Sequence, residues 1–377
     1  QGSPRPAAPL QGTAVRRKEA PAARAAAQGN AALRQAEWSA PGLARHLGIN
    51  LEEVQLVARQ NRLRVPHGYL ALVQGGPEDP IWRQCVPSQA ELAEGNLEPD
   101  PLAEDAPRNS PTPHLTHRYP DRALLLVTDL CPMFCRFCMR KRKTLAGAAI
   151  TSRTVEQGIA HIAATPAIRE VILSGGDPLM LPDARLAHIL TSLRAIPHVQ
   201  VLRVHTRMPC VEPRRVTPAL AKELARHQPL HVGVHFNHPR EVTTLAAQAL
   251  ATLVDAGLPV HNQSVLLKGV NDDAALLASL FRKLLRCRVH PYYLHHADLV
   301  PGTAHFRTTV QRGLQIVNEL RTLAPELAML HYVLDTPGGG GKVPLSLPTD
   351  GRQPPAPIQP AGADQGEEAS RDGTDGC

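Results

Sequence analysis

From residue 121 onward, short apolar runs alternate with amphipathic segments and turn signals. The runs occupy 124–127, 171–173, 201–204, 231–236, 260–267 and 292–294. Runs this short, separated by helical patterns, predict repeated βα units and a parallel sheet. The intervening helices announce their ends. Asp183 precedes the apolar series Leu186, Ile189, Leu190 and Leu193 and is expected to cap it. Thr217 followed by Pro218 reads as an N-cap and a first-turn proline. The helix through Leu250, Leu253 and Val254 is expected to stop at Gly257. Six strands with helices between them predict an α/β fold, a barrel or partial barrel, with active residues at the C-terminal strand ends.

The flanks read differently. Residues 36–115 carry short helical patterns such as Leu51, Val54 and Val57, broken around 75–80, and predict a small helical lead-in to a barrel over 116–345. Residues 1–35 are mostly Ala, Pro, Gln and Arg, and 346–377 are rich in Pro, Gly, Asp and Glu. Both are expected to be disordered tails. The start, at Gln1, shows no secretory signal. Its Arg-rich composition is shared by transit peptides, but an Ala-rich tail is the preferred reading. No apolar run reaches the ~18–20 residues that span a bilayer, so no membrane role and a cytoplasmic location are expected.

Charge adds a candidate. The 377 residues hold 41 Lys/Arg and 34 Asp/Glu, a net +7. Arg136, Arg140, Lys141, Arg142 and Lys143 crowd into eight positions, a cluster that attracts anions. Aromatic residues are 3% of the chain, too few for base-stacking platforms, so nucleic acid is not the expected partner.

Seven cysteines are too few for a disulfide scaffold of this length. Three of them, Cys131, Cys135 and Cys138, form C-x3-C-x2-C just after the first apolar run. Soft thiolates select zinc, copper(I) or iron–sulfur clusters. A closed zinc site wants four ligands, and Cys85, Cys210, Cys287 and Cys377 are solitary; a knuckle completed by histidine stays open. Three thiolates suit a 4Fe–4S cluster with one iron left for another ligand. Gly175 and Gly176 expose backbone at the second strand end, where a ligand can approach, and Asp177 can accept hydrogen bonds from an ammonium. An ordinary βα turn is the plain alternative. Lys342 closes Pro337-Gly-Gly-Gly-Gly-Lys. With Thr336 and Val343 around it this is no phosphate loop; a lysine amine there can form a Schiff base, or the glycines are a linker. Asp298 and Asp335 end strand-like segments and could bracket an ammonium or simply cap. Arg140 could pair with a carboxylate in bidentate fashion.

The cysteine spacing, with Phe137 before the last cysteine, resembles the signature of the radical S-adenosylmethionine superfamily. The stretch 117–142 is similar to the lysine 2,3-aminomutase family, which also uses pyridoxal phosphate. The resemblance covers about residues 40–345. It includes Asp79-Pro80, Val86-Pro87-Ser88, Ser174-Gly-Gly-Asp-Pro, His235-Phe-Asn-His-Pro, Asn262-Gln-Ser-Val-Leu-Leu-Lys-Gly-Val-Asn and Asp335-Thr-Pro-Gly-Gly-Gly-Gly-Lys342.

The resemblance implies a partial (β/α)6 barrel and an isomerase that moves the α-amino group of L-lysine to C3. It implies a 4Fe–4S cluster on Cys131, Cys135 and Cys138, S-adenosylmethionine on Ser174, Gly175, Gly176, Asp177 and Gln263, and pyridoxal phosphate on Lys342 with Arg118 and Arg122 toward its phosphate. Arg140 is implied for the substrate carboxylate, and Asp298 and Asp335 for its side-chain ammonium. An electron donor such as flavodoxin or ferredoxin is implied as partner. The zinc-binding cysteine tail of well-studied members is expected to be absent, since only Cys377 follows Lys342, and a homo-oligomer is left open. The same chemistry on glutamate, or in β-lysylation of elongation factor P, stands as an alternative. A metal-stabilised, basic RNA-binding protein is the alternative from another class.

Overall fold

The computed structural model describes residues 39–93, 97–144, 149–327 and 330–346. Nine strands form one sheet in sequence order. They are β1 Leu115–Tyr119, β2 Arg122–Thr128, β3 Glu170–Gly175, β4 Val201–Thr206, β5 Leu230–Val234, β6 Val260–Leu266, β7 His290–His296, β8 His331–Thr336 and β9 Gly341–Pro344. β2 to β8 run parallel, and β1 and β9 are antiparallel edges.

All six apolar runs are strands, and the expected partial barrel is present. The sheet adds a seventh parallel strand, β8, and the two edges. Neither edge carries an apolar run, because each is covered on one side only. Alternation along β4 shows why the sheet curls rather than lying open. Leu202 and Val204 are fully buried in the hydrophobic core, while Arg203 and His205 line an internal cavity. No ladder joins β1 to β9 among the described residues. The two edges instead meet where the Lys342 N–H donates to Tyr119 Oη at 3.1 Å.

Two of the three expected helix ends are as read. Thr217 Oγ1 accepts from the Leu220 N–H at 3.1 Å with Pro218 in the first turn. Gly257, at φ +83°, follows the helix Thr244–Asp255. Asp183 is different: it is the first residue inside the helix Asp183–Arg194, Pro182 holds the cap position, and its carboxylate pairs with buried Arg215 at 2.5 Å.

The lead-in contains the helices Ala40–Leu47, Leu51–Gln60, His67–Leu70 and Pro80–Cys85. Val54 and Val57 are buried, but Leu51 faces solvent. Asp79 caps Pro80–Cys85 through the Ile81 N–H at 2.8 Å and also pairs with Arg240 of the barrel at 2.9 Å. Leu43, Tyr69, Ile81, Trp82 and Cys85 share one hydrophobic core with the barrel strands and helices. Between residue 97 and β1 the chain runs in turns rather than helices. The expectations for 1–35 and 347–377, Cys377 included, fall on residues outside those described. No helix among the described residues is long and apolar enough to cross a membrane.

Candidate active site

The C-terminal ends of the parallel strands gather at one mouth, and the cysteine loop leaves it from β2. The loop is fastened to the next strand end by backbone alone. The Gly176 N–H donates to Thr128 O at 2.6 Å and the Asp177 N–H to Leu130 O at 2.8 Å. A Cβ at Gly175 would lie 2.2 Å from Thr128 O, and one at Gly176 would lie 2.1 Å from Leu130 O. The close approach of the segment after β2 therefore requires both glycines, and they fix Cys131 relative to β3.

Asp177 also departs from its expected part. Its carboxylate is 3% exposed and accepts from Thr206 Oγ1 at 2.8 and 2.9 Å, the Arg207 N–H at 2.8 Å and the Leu179 N–H at 3.0 Å. Three donors of the protein already fill it, so it holds β3 to β4. The turn offers the cavity the Ser174–Gly176 segment instead.

Arg136 anchors the middle of the loop. Its guanidinium is 1% exposed and donates to both Glu91 oxygens at 2.8 and 2.7 Å and to Arg62 O at 3.1 Å. Lys141 Nζ reaches the same carboxylate at 3.2 Å. Burial pushes the Glu91 carboxyl up, but Arg136, Lys141 and Asn61 outweigh it and hold it below its usual value. Arg140 forms a bidentate pair with Glu104 at 2.8–3.2 Å. Arg142 pairs with Asp100, Glu104 and Asp105, and Lys143 with Asp105. Burial raises the Glu104 carboxyl, yet Arg140 and Arg142 bring it down to about 2. The basic run is thus neutralised by the chain's own acids. Apart from Arg140, which also lines the barrel interior, it offers no surface to foreign anions, and an RNA-binding reading loses its main support.

Two cavities open at the mouth. One, of about 230 Å³, is lined by all three cysteines, Ser174, Gly175, Gly176 and Arg207. The other, of about 300 Å³, is lined by Arg118, Arg122, Tyr293, His295, Asp335 and Lys342. Met139, Arg140, His205, His235, Gln263, Val265 and Asp298 line both, so the two share a wall. Gln263 Nε2 lies 3.4 Å from His205 Nε2. His205 and His295 are pushed well below the usual imidazole range, and His235 to about 3, by burial first and by neighbouring cations such as Arg207 and Lys342 second. The imidazoles facing the cavities are neutral.

The glycine run before Lys342 is a hairpin turn, not a linker. Gly338 and Gly341 take φ +71° and +93°, conformations only glycine adopts freely. The turn folds β9 back on β8 so that Asp335 and Lys342 are direct cross-strand partners. Opposed residues of an antiparallel pair share a face, and the Lys342 ammonium is hydrogen-bonded to Asp335 Oδ2. Arg118 NH2 lies 3.5 Å from the other oxygen of Asp335. Asp298 has harder company: burial, then Asp335, push its carboxyl up to about 7, against Lys342 and Arg140.

Residues 125–280 match the family model of the radical SAM superfamily. The L-lysine 2,3-aminomutase of Clostridium subterminale is 43% identical over 312 residues, 80% of this chain and 74% of that protein. That of Fusobacterium nucleatum is 42% identical over 315 residues, 81% and 73%. The chain belongs to the lysine 2,3-aminomutase family. The glutamate 2,3-aminomutase of Clostridioides difficile is 37% identical over 298 residues, 78% and 70% of the two chains. This family member is accordingly a radical SAM aminomutase, an isomerase, and its cofactors are a 4Fe–4S cluster, S-adenosylmethionine and pyridoxal phosphate.

The residues present suit these groups. Cys131, Cys135 and Cys138 line a single cavity, so three soft sulfur donors face one space. Arg118 is 7% exposed on its side chain, and its Nε and NH2 lack hydrogen-bond partners among the described residues. An anion in the barrel would complete them. Arg122 lies farther down, at the start of β2, where it is ion-paired with Glu170, its Nε 3.1 Å from Oε1.

Sequence reasoning missed Glu91, Glu104, Arg207 and Glu241. The acids Glu91, Asp100, Glu104 and Asp105 were a visible signal, a set in the lead-in matching the basic run in charge. Arg207 carried only its place after the run 201–204.

Proposed function

We propose that this aminomutase acts on L-lysine, moving its α-amino group to C3 to give β-lysine. The observation that carries the reading is a lysine ammonium already in the cavity: that of Lys342, seated on Asp335. Asp298, beside it, is a raised carboxyl that a second cation would stabilise. A glutamate side chain would bring a third carboxylate to this pair.

When bound, the cluster and S-adenosylmethionine supply a radical that takes hydrogen from C3, and pyridoxal phosphate supplies a π-system for the migrating nitrogen. The chain's residues are assigned the following parts. Cys131, Cys135 and Cys138 hold the cluster, and a low-potential donor such as flavodoxin or ferredoxin reduces it. Ser174, Gly175, Gly176 and Gln263 face S-adenosylmethionine, with Asp177 bracing the turn behind them. Lys342 takes the pyridoxal aldehyde, and Arg118, aided by Arg122, takes the phosphate. Arg140 pairs with the substrate carboxylate, oriented by Glu104. The neutral His205, His235 and His295 line the walls without adding charge that would compete.

The test is anaerobic turnover of lysine and of glutamate by the reconstituted protein and its Asp298→Asn and Asp335→Asn variants. Leaving a buried charge unpaired typically costs ~3–5 kcal/mol, or roughly two to four orders of magnitude in binding. Each variant should lose lysine turnover strongly. Faster glutamate turnover by the wild type, or full lysine activity in both variants, would reject lysine as substrate.

A further inference from the structure

Beside the cysteine loop lies a buried cation that none of the assigned parts uses. Arg207 follows the last residue of β4 and is 7% exposed. Its NH1 donates to Cys135 Sγ at 2.8 Å. Its NH2 donates to Gln84 Oε1 at 2.6 Å, Glu241 Oε1 at 2.9 Å and Tyr69 Oη at 3.3 Å. The guanidinium also lies 5.0 Å from the centre of the Phe137 ring. The backbone N–H of the same residue binds Asp177. One residue is thus fixed to the β3 turn by its main chain and to a cysteine sulfur by its head.

The counter-charge is built with equal care. Glu241 is 0% exposed and also accepts from Tyr69 Oη at 2.6 Å, the Asn237 N–H at 2.6 Å and the His238 N–H at 3.0 Å. Taking both charges out of water is costly, and an apolar pair would pack the same space. The distinctive result of the arrangement is a permanent cation with an N–H aimed at sulfur.

We propose that Arg207 sets the reduction potential of the cluster through its hydrogen bond to Cys135, with Glu241 as the opposing charge. The inference rests on the assignment of the three cysteines as cluster ligands. One-electron reduction, by a donor such as titanium(III) citrate, adds one negative charge spread over iron and sulfur. A cationic donor at a ligand sulfur stabilises the reduced form more than the oxidised form and raises the potential; a nearby carboxylate lowers it. Arginine suits the task because it cannot lose its proton in a protein. Arg207 acts through Cys135 and is a positioning residue.

The test is redox equilibration of the anaerobically reconstituted full chain, followed by electron paramagnetic resonance and scaled to iron content. Arg207→Met is expected to shift the potential to more negative values, and Glu241→Gln to more positive values. A packing role alone would lower iron content without shifts of opposite sign. Independently, wild-type protein grown on guanidino-15N arginine should show a weak nitrogen coupling to the reduced cluster in pulsed resonance. This measurement decides the matter if the variants fail to load. Shifts of the same sign, no shift, or no nitrogen coupling in a loaded wild type overturn the proposal while the cysteine assignment stands. A wild type that forms no iron–sulfur signal overturns both.

Discussion

At the scale of single residues, the two aspartates at the barrel mouth differ in their company. Asp335 has the Lys342 ammonium and Arg118 beside it, whereas Asp298 meets burial and a second carboxylate. The Asp298 carboxyl is raised from an ordinary 3.8 to about 7. An acid raised in this way gives its full contribution to stability below 3.8 and loses it as pH rises through 7, because ionising it in the folded protein is unfavourable. Ligand-free Asp298→Asn should therefore match the wild type at about pH 3, below the ordinary carboxylate value, and exceed it at pH 8, by at most about 4 kcal/mol. Thermal melting at the two pH values measures this. A lysine ammonium supplies the missing partner, so lysine should bind the wild type more tightly as pH rises through 7, and the variant should show no such rise. A variant that kept the wild-type pH profile would remove Asp298 from the ammonium site. The cysteines and Lys342 stand out in the sequence because their chemistry demands a residue type at a fixed spacing. Arg207 does not, since its partners Gln84, Tyr69 and Cys135 lie 123, 138 and 72 residues away and are brought to it by the fold.

At the scale of elements, glycines decide which pieces can touch. Six of the seven parallel strands were legible because each carries a short apolar run bounded by turn signals. The edges β1 and β9, and the helix Val310–Leu323, carry no such mark. Within that helix Gly313 faces β8, and a Cβ there would lie 1.8 Å from Tyr332 Oη. Alanine is favoured over glycine in a helix by about 1 kcal/mol. Against this, the Tyr332 ring is 2% exposed and its hydroxyl is bound to His296 Nδ1 at 2.8 Å. Overpacking of such a site costs ~1–3 kcal/mol, so the clash should win. Gly313→Ala is expected to lower stability by up to about 2 kcal/mol in denaturant unfolding. A stabilised variant would mean that Tyr332 swings aside freely, and with it the strand that carries Asp335.

At the scale of the whole molecule, the lead-in and the barrel form one site. Glu91, Asp100, Glu104 and Asp105 come from before β1, and the cations they neutralise come from the loop after β2. The sequence shows the two charged sets but not their union, because nothing local says that one lies on the other. The cysteine cavity and the Lys342 cavity share a wall yet draw their reactive groups from opposite ends of the sheet, β2 and β9. They should therefore fail separately. Lys342→Ala should keep its iron and lose the pyridoxyl label that borohydride leaves on the wild type. Peptide mapping that finds the label on another lysine would reassign the site.

The seam between β1 and β9 has a consequence in time. β4 and β5 are laddered on both sides, whereas β9 is laddered only to β8 and touches β1 through the Tyr119 hydroxyl. Amide protons protected on one side only are released by small local openings rather than by unfolding. Deuterium should therefore enter 341–344 far sooner than 201–206 or 230–234. Tyr119→Phe should quicken exchange at Lys342 and leave the central strands unchanged. With that outcome, the lysine proposed to take the pyridoxal aldehyde sits where the barrel opens most readily, and an aldehyde can reach its amine while the rest of the barrel stays shut.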